Sequence, residues 1–288
     1  MCFFMTLRKK NIIRCLLAAV LLIFCIATFV YASQSPNIPK DSVRVPILMY
    51  HSILKNKGSE GTYVVSPELF ENDLKYLKDE GYTTIFVKDL SDYVRDGKEL
   101  PEKPIIITLD DGYYNNYVYV LPLLQKYEMK ASIAVVGKFT DIFSNADSHN
   151  ANYSHMTWED ISEISQSGYV EISNHTYDMH STKGRFGCFI KKSESKEDYK
   201  KALKEDLEKM QKCLYEKSGI ECEVFTYPYG KIYNGSLEVV KEMGFKASLS
   251  CYEKINYITK EEDCLYLLGR FNRPASISTE SFMKKHDI

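Results

Sequence analysis

Two adjacent carboxylates, Asp110 and Asp111, end the apolar run Pro104–Leu109 and are followed at once by Gly112. Two histidines, His175 and His180, stand five residues apart just past a second apolar stretch. Two imidazoles and one carboxylate around an open position make a common catalytic zinc arrangement, and the second acid is then free to act as a base. Each signal alone has a plain explanation: an Asp-Asp-Gly turn, or ordinary loop histidines. Together they point to a catalytic metal. The spacing of five would put the histidines on different faces of a helix, so they converge only in a loop or tight turn, which excludes the helical HExxH arrangement. A third segment, Phe225-Thr226-Tyr227-Pro228-Tyr229-Gly230, places a Pro-x-Gly turn where backbone N–H groups can hold an oxyanion. By itself it is only a turn.

These residues need elements that deliver them to one place. Val45–Tyr50, Thr83–Val87, Pro104–Leu109, Ala131–Val136, Tyr169–Ile172, Val224–Thr226, Ala247–Leu249 and Leu265–Leu268 read as strands. Helices are expected from Ser66-Pro67 (a good cap and a proline at the first helical position), near Leu90–Arg95, and over Tyr117–Tyr127, Thr157–Gln166, Lys196–Lys217 and Ser236–Met243. The polar stretch Phe139–His155 reads as a surface loop near the site. Unbroken apolar strands alternating with helices indicate a parallel sheet covered on its faces, either a barrel or a doubly wound sheet, in one α/β domain. In such folds the carboxyl ends of the strands line the active site. Mid-strand, Asp110 and Asp111 would point to opposite faces; at a strand end, with Gly112 letting the backbone turn, both serve one pocket.

The composition of the 288 residues is that of a globular protein, 44% hydrophobic and 26% charged with a formal net charge of -2. Beyond the N-terminus no basic stripe appears, so nucleic acid is not an expected partner. Arg8, Lys9, Lys10 and Arg14 precede an apolar run from Leu16 to Ala32 that ends in Val30-Tyr31-Ala32, which reads as an export signal. It is either cleaved or kept as a membrane anchor, its length matching the shortest transmembrane helices, roughly 17 residues. Residues 33–44 read as a linker and 45–288 as the domain. Five cysteines lie beyond the leader (Cys188, Cys213, Cys222, Cys251 and Cys264), an odd number with no zinc-ribbon spacing.

From about Val45 onward the chain resembles the polysaccharide deacetylases of the NodB-homology type, carbohydrate esterase family 4. Pro46-Ile47-Leu48-Met49-Tyr50-His51 is similar to the opening of the branch acting on poly-N-acetylglucosamine. Thr108-Leu109-Asp110-Asp111-Gly112-Tyr113 resembles the family's first motif, with Leu109 where Phe is usual. His175-Thr176-Tyr177-Asp178-Met179-His180 resembles the second, and Tyr227-Pro228-Tyr229-Gly230 the third. The resemblance implies a distorted (β/α) barrel of about seven parallel strands. It assigns Asp110 as general base and Asp111, His175 and His180 as ligands of a divalent metal, zinc above all, with cobalt, nickel or iron as alternatives. A main-chain N–H near Tyr229 would help hold the oxyanion. The implied reaction is hydrolysis of N-acetyl groups on a cell-wall or extracellular polysaccharide, releasing acetate, by an exported monomer.

Two departures stand against the pattern. Thr226 and Tyr227 occupy the place of an arginine that braces the base, and Leu267-Leu268-Gly269-Arg270-Phe271-Asn272-Arg273 lacks the Leu-x-His that supplies a general acid. His51 is the remaining candidate for proton donor, since His286 lies at the terminus. Trp158 is a candidate for the sugar groove, or a helix-start residue packed on the barrel. The departures favour a rival reading, a surface carbohydrate-binding relative without turnover. A glycosidase fits less well, because its carboxyls must stand about 5 Å or more apart across the sugar.

Overall fold

The computed structural model describes residues 38–56 and 58–288, with positions 12, 14, 16, 17 and 19–21 near the start. Those early positions are helical and exposed. Among the described residues no helix is long and apolar enough to cross a membrane, and most of the stretch read as an export signal lies outside them. The chain forms two compact units, Met1–Lys40 and Asp41–Ile288.

In the larger unit the strands, in chain order, are β1 (Val43–Val45), β2 (Ile47–Tyr50), β3 (Ser52–Ile53), β4 (Val64–Val65), β5 (Thr83–Thr84), β6 (Pro104–Leu109) and β7 (Ala131–Val135). They continue with β8 (Val170–Asn174), β9 (Val224–Thr226), β10 (Ala247–Leu249), β11 (Asn256–Ile258) and β12 (Phe271–Asn272). The helices are α1 (Pro67–Asp79), α2 (Val87–Arg95), α3 (Leu121–Tyr127), α4 (Gly137–Ala146), α5 (Trp158–Gln166), α6 (Lys196–Ser218), α7 (Ser236–Glu242) and α8 (Thr279–Lys285).

Seven strands run parallel in the order β10-β9-β8-β7-β6-β2-β12, with β5 added beside β6. Every residue of β2, β6 and β7 is buried, as expected of strands covered on both faces. The sheet curls, and residues 267–273 draw its edges together. Leu268 forms a parallel bridge to Leu249 of β10, while Phe271 and Asn272 pair with Leu48 and Met49 of β2. This is the distorted (β/α) barrel.

Several boundaries differ from the sequence reading. Pro46 splits the expected strand Val45–Tyr50: β1 leaves the barrel to pair antiparallel with β11. The strand expected over Thr83–Val87 stops at Thr84, because Val87 opens α2. The main-chain N–H groups of Val87 and Lys88 both donate to the Glu171 carboxylate at 3.0 Å, a helix cap supplied from β8. Residues 139–146, read as loop, lie within α4. The last barrel strand is not Leu265–Leu268, which holds the end of a 3-10 turn and the closing bridge, but β12.

The helices that were anticipated are built as their sequences dictate. Ser66 caps α1 by accepting from the Leu69 N–H, and Thr157 caps α5 by accepting from Asp160 while the Asp160 carboxylate takes the Thr157 N–H. Helix α6 buries Leu203, Leu207, Met210 and Leu214, the helically spaced stripe.

Candidate active site

The carboxyl ends of the parallel strands empty into one cavity of about 660 Å³. His51 follows β2, Asp110 and Asp111 follow β6, His175 follows β8, Tyr229 lies past β9, and Cys251 lies past β10. His180 and Phe186, from the loop between β8 and α6, complete one wall.

Asp110 and Asp111 are made different by a reversal of the backbone. Asp110 still extends the strand, its N–H donating to the Tyr50 carbonyl at 2.9 Å. Asp111 then adopts φ 71° and Gly112 φ 67°. The second position must be glycine, since a Cβ there would lie 2.8 Å from Val135 Cγ1. Gly112 lets the backbone turn as expected, and Asp111 itself takes a strained conformation beside it. Thr176 (φ 73°) and Tyr229 (φ 57°) do the same beside His175 and His180. Left-handed non-glycine residues are uncommon, and they gather where a site fixes the backbone.

One ligand atom each from Asp111, His175 and His180 lies within 4.8 Å of the others. Oδ1 of Asp111 is 3.0 Å from His180 Nε2 and 3.6 Å from His175 Nε2. His175 Nδ1 lies 2.8 Å from the Thr226 carbonyl. A carbonyl only accepts, so Nδ1 carries a hydrogen, and Nε2 is the nitrogen turned toward Asp111. His180 Nδ1 sits 3.2 Å from the Tyr229 hydroxyl. Burial would raise the pKa of Asp111, but hydrogen bonds from the two histidines outweigh it and hold the carboxyl well below 3.8. A partly buried cluster of two imidazole nitrogens and one ionised carboxylate is the donor set of a divalent transition metal, so these residues fit the expected ion.

Asp110 is 2% exposed and belongs to a different network. Arg270, fully buried, grips it with two hydrogen bonds: Nη1 to Oδ1 at 2.6 Å and Nη2 to Oδ2 at 2.8 Å. The other Arg270 N–H groups reach the Ser250 carbonyl, Thr108 Oγ1 and Cys251 Sγ, so all five donors are used. Burial pushes the Asp110 pKa up, yet the guanidinium outweighs it and the net shift is downward. The missing brace is thus supplied from the barrel-closing segment, a residue that motif reasoning overlooked. Its one trace in the sequence is an arginine enclosed in the apolar stretch Leu267–Phe271.

His51 lines the same cavity with Nε2 4.0 Å from Asp110 Oδ2, and Tyr63 packs edge-on to its ring at 4.8 Å. Burial lowers its pKa from the usual 6.5, opposed by the charges of Asp110 and Asp111. Tyr229 lines the cavity with its ring 4.6 Å from His180. Trp158 does not reach it. The indole, 6% exposed, packs in the core and donates Nε1–H to Asp141 at 2.8 Å, which realises the packed alternative. His286 also lies elsewhere, its ring tilted against Phe271. Cys188, Cys213, Cys222, Cys251 and Cys264 are all free thiols.

Comparison with known proteins places this geometry. The model of the polysaccharide deacetylase family matches residues 97–248, more than half of the chain. That stretch holds Asp110, Asp111, His175, His180 and Tyr229 and stops short of both His51 and Arg270. The poly-beta-1,6-N-acetyl-D-glucosamine N-deacetylase of Escherichia coli K12 is 24% identical over 217 residues, 69% of this chain and 32% of that protein. The Staphylococcus aureus (strain MRSA252) protein of the same name is 28% identical over 193 residues, 67% of this chain and 62% of that one. The chain thus spans about a third of the first relative and under two thirds of the second. A solved de-N-acetylase from Aggregatibacter actinomycetemcomitans superposes with a TM-score of 0.70 at 26% identity, covering 85% of this chain and 100% of that one. By its matched length and the residues inside it, the chain belongs to the polysaccharide deacetylase family.

Proposed function

We propose that the chain is a metal-dependent hydrolase that removes N-acetyl groups from an extracellular polysaccharide of N-acetylglucosamine units. The carrying observation is the division of labour in one cavity: Asp111, His175 and His180 converge on a point, while neighbouring Asp110 is held apart as an ionised, arginine-braced carboxylate. A divalent ion bound by the three, zinc by the donor set, supplies Lewis-acid polarisation of an acetamide carbonyl and lowers the pKa of water. Asp110 takes the proton of the attacking water, with Arg270 fixing the plane of its carboxylate. His51, on the other side of Asp110, delivers a proton to the departing amine, and a backbone N–H near Tyr229 steadies the developing oxyanion. Acetate and a free amino sugar are the products.

The names of the relatives support poly-N-acetylglucosamine as substrate, with chitin-like oligomers and peptidoglycan as alternatives. Export, a membrane tether through the first 32 residues and action as a monomer belong to the same reading, as does the division into leader, linker (33–44) and domain (45–288). The binding-only alternative drew its force from an absent brace and an absent acid. Arg270 braces Asp110 in place of the first, and His51, 4.0 Å from Asp110, is the acid in this reading.

The test is acetate release by the metal-loaded chain from acetylated oligomers of these three polymers. Turnover that a chelator stops and zinc restores is expected, with D110N reducing it about 10²–10⁴-fold. No release from any of them would sink the proposal, and parental turnover in H51A would remove His51 as the acid.

A further inference from the structure

His155 belongs to none of the motifs, yet it touches the turn on which both carboxylates depend. Its Nδ1 lies 2.8 Å from the main-chain carbonyl of Asp111. A carbonyl has no hydrogen to give, so the Nδ1–H donates. The segment around it is pinned to the same turn: His155 forms an antiparallel bridge to Tyr113, the Tyr114 N–H donates to the Ser154 carbonyl, and the Met156 N–H donates to the Gly112 carbonyl, each at 2.9 Å. The ring is held by Tyr113 at 4.7 Å (stacked, 25°), Phe139 at 4.7 Å and Phe143 at 5.4 Å. Phe139 also meets the edge of His180.

We propose that His155 is a positioning residue of the metal centre, stapling the main chain of Asp111 in its left-handed turn so that Asp111 faces His175 and His180 while Asp110 faces Arg270. Asp111 is not glycine, so its φ of 71° needs outside enforcement. The strand enforces Asp110 from one side, through the Tyr50 carbonyl. His155 and its neighbours enforce the far side. A ring that merely filled space between Tyr113 and Phe139 would need no hydrogen on Nδ1. The hydrogen bond, not the stacking, is what ties the ring to a metal ligand. This deepens the proposed function and rests on its metal site.

The first test needs no substitution. In long-range ¹H–¹⁵N spectra of the metal-free chain, His155 should be the Nδ1–H tautomer; an Nε2–H ring overturns the staple. The second test compares zinc affinity in H155F, which keeps the aromatic packing, and H155N, which keeps a donor at the place of Nδ1. Outer partners of metal ligands are worth about 10–100-fold in affinity. H155F should therefore weaken zinc about tenfold or more while the metal-free chain melts near the parent temperature, and H155N should recover most of the loss. Parental affinity in H155F, or equal losses in both variants, refutes the proposal. Where H155F fails to fold, the tautomer still decides. A parent chain that takes up no divalent ion brings down the proposed function instead, and the tautomer then judges the staple by itself.

Discussion

At the scale of single residues, the centre turns on how differently two neighbouring aspartates are treated. Asp110 owes its charge to Arg270, both groups being out of water. Removing one member of a buried pair leaves the other uncompensated, at about 3–5 kcal/mol. R270M should lower stability by that order and push the pKa of Asp110 upward, moving the acidic limb of kcat/KM to higher pH. R270K should not restore the parent, because an ammonium cannot make the paired, planar contact. Denaturant unfolding and a pH–rate profile check both; an R270K enzyme with the parental profile would contradict the role given to the guanidinium. The four residues of the two motifs were legible in the sequence because each pair is local: acids at one strand end, histidines in one loop. Arg270 was not, since it lies 160 positions from Asp110 and only closure of the barrel brings them together. Trp158 shows the converse. An aromatic that could have lined the groove is instead packed in the apolar core, where Asp141 satisfies its Nε1–H.

Among the elements, Asp141 on α4 joins three others. Its carboxylate accepts from Trp158 Nε1 at the start of α5 (2.8 Å), Tyr177 Oη in the histidine loop (2.6 Å) and Lys217 Nζ near the end of α6 (2.5 Å). Burial would raise its pKa, but the hydrogen bonds from Lys217, Tyr177 and Trp158 outweigh it and hold the group below 3.8. A carboxyl depressed on folding stabilises above its unfolded pKa, and that contribution fades as pH falls through the folded value. D141N should thus cost about 1–3 kcal/mol near neutral pH. The difference in Tm should shrink below about pH 4; a gap unchanged down to pH 3 would argue against a charged Asp141. Strands were more readable than their edges. The apolar runs of β6, β7 and β9 announce themselves, whereas α2 begins early because Glu171, 84 positions from Val87, caps it. Helix α4 was hidden by polar composition, with Val136 instead of a Ser or Thr at its cap.

On the scale of the whole molecule, the expected ligand triad links metal to folding. An ion that binds only the folded chain stabilises it by about 2.7 kcal/mol at a hundred times its Kd, which raises Tm by roughly 5–11 °C for a domain of this size. Zinc should produce such a rise in the parent and in D110N, a chelator should reverse it, and H175A should lose it. Equal losses in D110N and H175A would show that the two aspartates share one role. The fold class itself was visible in the alternation of strands and helices. Barrel closure was not, because the closing residues pair in short stretches that carry no strand-length apolar run.

That closure also sets an order in time. Asp110, Asp111, His175 and His180 all leave the ribosome before Arg270 does, and the guanidinium arrives with the last strand of the barrel. Until then the nascent domain holds the three expected metal ligands and an acid without its counter-charge. The arginine-braced form of Asp110 is therefore a property of the finished barrel. A chain interrupted before position 270 would retain the four motif residues and lack the brace on Asp110.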